Sequence, residues 1–218
     1  MVALAMTAAR EEILARVRRA LADVPGDERP EDVTVARAYR MREPEGSVER
    51  FIERVTDYGA GVRTVGAADV AAAVGEACRE SGVGALALPV DMPPAWVPPS
   101  VEGVADLDLD AAELDRIGAA LTGCLLAIAD TGTIVFDGGA RQGRRALTLV
   151  PDVHVCVVEE TQVLDGVPAA MRRIAAELRA ARRPVTFVSG PSATSDIEFS
   201  RVEGVHGPRR LELVVVRA

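Results

Sequence analysis

The chain is predicted to fold as an α/β protein, a three-layer α/β/α arrangement around a largely parallel sheet with an N-terminal helical arm. Three observations carry this expectation. Short apolar runs alternate with stretches at helical spacing from residue 48 onward, the pattern of strands linked by crossover helices. Runs such as 85–88 and the end of 211–216 are apolar at successive positions, as in strands covered on both faces. A charged, proline-bracketed segment, 23–44, lacks periodicity and separates the first helical stretch from the rest. The expected organisation is therefore an arm over 1–43 and an α/β domain over 44–218, with enough core to fold without disulfides or metal.

Within the arm, Ile13, Leu14, Val17 and Leu21 fall at helical spacing over 7–21, with Thr7 as an N-cap. Val48, Phe51, Ile52 and Val55 predict a helix ending near Gly59, followed by a strand at 62–65, a helix at 67–79 and a buried strand at 85–88. Five prolines in 89–99 forbid a central strand there, so this segment crosses the surface as a lid or a plain crossover, with Trp96 either packed beneath it or stacking on a ligand. A short helix is expected over 107–118, with Asp110 as its cap. The runs 121–129 and 133–136 flank Asp130-Thr131-Gly132, which predicts a hairpin. Two further strands are expected at 145–150 and 153–158, then a helix at 167–181, a strand at 185–189 and a closing strand at 211–216.

Composition excludes several classes of function. The 25 basic and 33 acidic side chains give a net charge of -8, the wrong sign for a general nucleic-acid binder. Every basic residue is arginine, so a lysine Schiff base, a lysine general base and a Walker lysine are absent from this sequence. Positive charge offered to a ligand must come from arginine, which suits a planar grip on carboxylate or phosphate. Cys78, Cys124 and Cys156 stand far apart with no histidine at ligand spacing, which argues against a zinc or iron-sulfur site made by this chain alone. They are expected to be thiols in a reducing compartment, Cys124 and Cys156 being buried. With no signal peptide and no apolar run of membrane-spanning length, the protein is expected to be soluble and cytoplasmic.

Three polar constellations are candidate site elements. The loop Gly190-Pro191-Ser192-Ala193-Thr194-Ser195-Asp196 follows a strand, and its hydroxyls can cap a short helix whose free N-H groups hold a carboxylate or phosphate. Alternatively, the same hydroxyls satisfy their own loop's backbone. His206, set between Gly204 and Gly207, can relay a proton or hold an anion; it can equally bridge two loops. Thr131, Gly132 and Arg144 belong to a glycine- and arginine-rich rim for an acidic ligand, a segment that also reads as a solvated hairpin loop. His154 reads as structural unless it faces the same crevice. A Ser192, His206, Asp196 triad lacks the elbow that exposes an attacking serine, and the glycine pattern at 82–87 has the wrong helix-to-strand order for a dinucleotide site.

Four segments together resemble one family: Ile128-Ala129-Asp130-Thr131-Gly132-Thr133-Ile134, Leu149-Val150-Pro151-Asp152-Val153-His154, Ser189-Gly190-Pro191-Ser192-Ala193-Thr194-Ser195-Asp196-Ile197-Glu198, and Gly204-Val205-His206-Gly207-Pro208. In order and spacing they are similar to the LUD domain of the LutC, lactate-utilization type. The resemblance implies a fold related to ribose-5-phosphate isomerases and CoA-transferases. It also implies an accessory part in oxidising L-lactate to pyruvate beside iron-sulfur partner proteins, the clusters residing on those partners. Two other expectations stand beside it: a stand-alone enzyme acting on a small phosphorylated or acyl substrate, and a purely structural assembly subunit. The sequence leaves the oligomeric state open.

Overall fold

The computed structural model describes residues 2–32, 34, 36, 47–181, 183–195, 201–204 and 206–217. Two compact units make up the chain, Met1–Arg40 and Met41–Ala218. The first contains helix α1, Val2–Ala20, and a 3-10 turn at Pro30–Asp32. Thr7 lies inside α1 instead of capping it, because the good helix formers around it carry the helix further toward the N-terminus.

The second unit runs α2 (Val48–Asp57), β1 (Gly61–Gly66), α3 (Val70–Glu80), β2 (Ala85–Leu88), β3 (Glu102–Ala105), α4 (Ala111–Ile117), β4 (Ala119–Thr122) and β5 (Leu126–Ile128). It continues through β6 (Thr133–Phe136), β7 (Val153–Glu159), β8 (Val163–Leu164), α5 (Val167–Ala181), β9 (Thr186–Val188), β10 (Ala193–Ser195), β11 (Arg201–Glu203) and β12 (Arg210–Arg217). Helix starts follow the chemistry of their caps. Ser47 Oγ accepts the Arg50 N-H at 3.1 Å ahead of α2, and Asp110 forms a reciprocal capping box with Glu113 ahead of α4.

Six strands form a parallel sheet in the order β1-β12-β7-β4-β2-β3, and helices cover both of its faces. Alternate residues explain how. Leu86, Leu88, Val155, Val157 and Val214 point toward Val70, Ala73, Val74 and Ala77 of α3. From the opposite face, Cys156, Val158, Leu213 and Val215 meet Phe51 and Val55 of α2, together with Ala127, Ile134 and Phe136. Those last three belong to a second sheet, ordered β8-β5-β6-β9, whose other face packs on Ala170 and Ile174 of α5. Nearby, α4 and the 3-10 turn Arg145–Thr148 insert Leu114 and Leu147 against Ala87 and Ala120.

Several expectations change. The run 121–129 is two strands in different sheets, because Gly123 leaves β4 and donates its N-H to the Arg141 carbonyl at 2.7 Å. Residues 145–148 form a 3-10 turn where a strand was expected: the Arg145 guanidinium donates to Thr148 Oγ1 at 2.6 Å and Leu147 turns into the core. Residues 193–195, where a helix start was expected, form β10 paired antiparallel with β11, the base closed by Gly204 N-H to the Ser192 carbonyl at 3.1 Å; residues 196–200 lie outside the described residues. Strand β12 does not close the sheet; it lies inside, between β1 and β7. Strand β3 escaped notice because Glu102-Gly103-Val104-Ala105 has no apolar alternation, which an edge position tolerates. Among the described residues, no helix is long and apolar enough to cross a membrane.

Candidate functional site

Strands β12 and β7 run parallel with Arg210 opposite Val153 and Leu211 opposite His154, so their amino-terminal ends meet at one rim of the central sheet. Two stretches bend over this rim: the chain leaving β9 through Ser189, Gly190 and Ser192, and the chain entering β12 through His206, Gly207 and Pro208. With Arg145, Thr148 and His154 they line a cavity of about 270 Å³. That is at or below the small end of the roughly 300–1,000 Å³ of drug-sized sites, so it suits a ligand of few atoms.

Sequence-predicted residues distribute unevenly around it. Gly190, Ser192, His206 and Gly207 line the hollow. Ser192 Oγ accepts the His206 backbone N-H at 3.1 Å, which ties the two stretches together and leaves the imidazole exposed. Gly190 has φ +90°, and a Cβ there would lie 2.5 Å from that of Tyr58, so only glycine brings the loop this close to the end of α2. The backbones of Thr194 and Ser195 run in β10, and Asp196 lies outside the described residues.

Thr131 and Gly132 do not line the hollow. A chain of hydroxyls links Thr131 to the wall: its Oγ1 is 2.7 Å from Thr133 Oγ1, which is 2.7 Å from Ser189 Oγ. Gly132 packs in the opposite direction, where a Cβ would stand 2.6 Å from backbone atoms of Arg54 and Val55 in α2. Arg144 lines a second cavity of about 460 Å³. Its fork is held by Asp106 at 2.7 and 2.8 Å and by the Leu109 carbonyl.

A family model described as the LUD domain matches residues 48–216, nearly the whole second unit. The chain belongs to the LUD-domain family. It is 42% identical over 212 residues to a lactate utilization protein C of Deinococcus radiodurans, covering 95% of each chain. A lactate utilization protein C of Geobacillus thermodenitrificans is 31% identical over 112 residues, or 50% of this chain and 45% of that protein. Among solved structures, a DUF162 family protein from Deinococcus radiodurans has a TM-score of 0.67 and 40% identity, covering 78% of this chain and 95% of that one.

Electrostatics in this LUD domain single out a residue adjacent to the expected one. Arg145 borders both cavities, and its guanidinium has Thr148 Oγ1 as partner but no carboxylate among the described residues. Although the residue stays exposed, partial desolvation of its guanidinium lowers its pKa. Beneath it lies His154, 2% exposed, with Nε2 at 2.7 Å from Thr122 Oγ1 and its ring 5.5 Å from that of Phe136. Burial first, and the Arg145 charge second, push the imidazole down to about 4, so it is neutral at pH 7. The hollow thus combines a cation without a carboxylate partner among the described residues, a neutral floor and the hydroxyls of Ser189 and Ser192, with Thr148 Oγ1, which donates to the Arg145 carbonyl, as a further acceptor, a set that suits a carboxylate bearing a polar neighbour.

Arg145, Thr148 and Ser189, which also line the hollow, are not among the residues the sequence singles out. The arginine pair 144–145 was visible, but which member is neutralised depends on Asp106, thirty-eight positions away, and no local signal reports that.

Proposed function

We propose that this protein takes part in L-lactate utilization, the oxidation of L-lactate to pyruvate, and that the hollow at the amino-terminal ends of β7 and β12 holds the small acid. One observation carries the binding part: Arg145 borders the hollow with no carboxylate partner among the described residues, so its charge is available to an arriving carboxylate. Support for lactate comes from the relative 42% identical over 95% of both chains, whose name is lactate utilization protein C.

In this reading the guanidinium of Arg145 holds the carboxylate, and the hydroxyls of Ser192 and Thr148 receive the 2-hydroxy or 2-oxo group. His206, at the open side, exchanges a proton with solvent. Oxidising a 2-hydroxy acid to a 2-oxo acid releases two electrons and two protons. The electrons pass to iron-sulfur partner proteins, and this chain acts as the accessory, acid-binding component. All three cysteines are buried, and burial raises the Cys78 thiol to about 11, which keeps it protonated.

The test is reconstitution. The purified chain, alone and with candidate iron-sulfur partners, is assayed for lactate-dependent reduction of an artificial acceptor. Activity is expected from the mixture, reduced at least tenfold by Arg145→Gln. Full activity from this chain alone would overturn the accessory role, and an unaffected Arg145→Gln mixture would overturn the assigned hollow.

A further inference from the structure

The hollow assigned above does not end at Arg145. Arg145, Thr148 and Thr186 line it and also line the neighbouring cavity of about 460 Å³, so the two spaces adjoin across these three residues. The second space is the larger, and part of its wall is apolar, from Phe136 and Pro184, with the backbone at Gly138 and Gly143.

Charge decides what can extend into it. Among the described residues three arginines face the second cavity, and two of them are paired with carboxylates. Arg144 forks onto Asp106, whose side chain is 3% exposed and whose carboxyl the Arg144 hydrogen bond holds below the usual carboxylate range. Arg183 binds Asp137 at 2.6 Å, and Asp137 is itself fixed by Gln142 at 2.9 Å. Among the described residues, the balance over both spaces is one cation without a carboxylate partner, Arg145, at the junction. One acid group is therefore matched, and a second would enter without a counter-charge.

Resting on the acid-binding reading above, we infer that the two cavities form one bipartite site for monoanionic 2-hydroxy or 2-oxo acids larger than lactate: the acid head sits at Arg145, the 2-substituent faces the hydroxyls of the smaller hollow, and an aliphatic or aromatic side chain fills the larger one against Phe136 and Pro184. L-lactate, with a single methyl, occupies the head end and leaves the larger space to water.

The experiment is calorimetric titration of the full chain with L-lactate, 2-hydroxybutyrate, 2-hydroxy-4-methylpentanoate, 3-phenyllactate and the dianionic malate. It is repeated on Pro184→Trp, which places a large ring in the second space from a residue that does not line the first. Affinity is expected to rise about fourfold per methylene buried, the equivalent of ~0.8 kcal/mol, with malate weakest. Pro184→Trp is expected to erase the size preference and to leave lactate binding unchanged. Lactate binding as tightly as the longer acids, or a size preference unchanged in Pro184→Trp, overturns the bipartite site while the acid-binding reading stands. Binding by none of the acids overturns both.

Discussion

Arg144 and Arg145 are adjacent and chemically identical, yet the fold gives them different tasks. Arg144 is a clamp: its two bonds to a nearly inaccessible Asp106 tie the segment after β3 to the 3-10 turn at Arg145–Thr148. Replacing it with glutamine strands that carboxylate, and a loss of about 2 kcal/mol is expected from urea unfolding, discounted from a fully buried pair because the Arg144 side chain is 40% exposed. His154 makes a separate prediction in pH. Its folded pKa of about 4 lies below the ordinary 6.5, so the unfolded chain binds the proton first. Stability is therefore full above pH 6.5 and falls by about 3 kcal/mol as pH drops toward 4, a slope that His154→Gln removes. Asp106 acts in a lower window: its depressed carboxyl contributes above the ordinary carboxylate pKa of 3.8 and is lost only below it. Unfolding measured at pH 7 and pH 4.5 on both proteins isolates the histidine.

At the scale of elements, the turn between β5 and β6 illustrates what local sequence conveys and what it omits. Asp130-Thr131-Gly132 announced the hairpin, and the antiparallel pairing of Leu126 with Val135 is that hairpin. What it could not announce is that Gly132 is pressed against Arg54 and Val55 of α2. Gly132→Ala is expected to cost more than 2 kcal/mol in thermal or urea unfolding, from the 2.6 Å clash and from φ +57°. Asp110→Ala, which removes the capping box of α4, is expected to cost about 1 kcal/mol. Elements built on near-neighbour chemistry, such as α2, α4, α5 and β7, were legible for this reason. The segment 145–150 was misread because its apolar residues fit a strand equally well, and the Arg145 to Thr148 bond with the burial of Leu147 decides against it.

For the molecule as a whole, alternation of runs was sufficient to predict an α/β fold with a mostly parallel sheet, since crossovers between parallel strands need intervening helices. The second sheet was not legible: β8, β5, β6 and β9 come from three separated stretches, and their pairing is a matter of tertiary packing under α2 and α5. The site divides in the same way. Gly190, Ser192, His206 and Gly207 gather at one hollow because strand ends bring their loops together, whereas Arg145 reaches it through a turn whose role depends on a distant aspartate. In the proposed function Arg145, without a carboxylate partner among the described residues, receives a small carboxylate. This assignment is tested most directly by titrating L-lactate into the wild-type chain and into Arg145→Gln at pH 7, with melting temperatures recorded for both. Saturable binding that weakens at least tenfold in a variant still fully folded at the titration temperature is the predicted result. Equal affinity in the two proteins would contradict it.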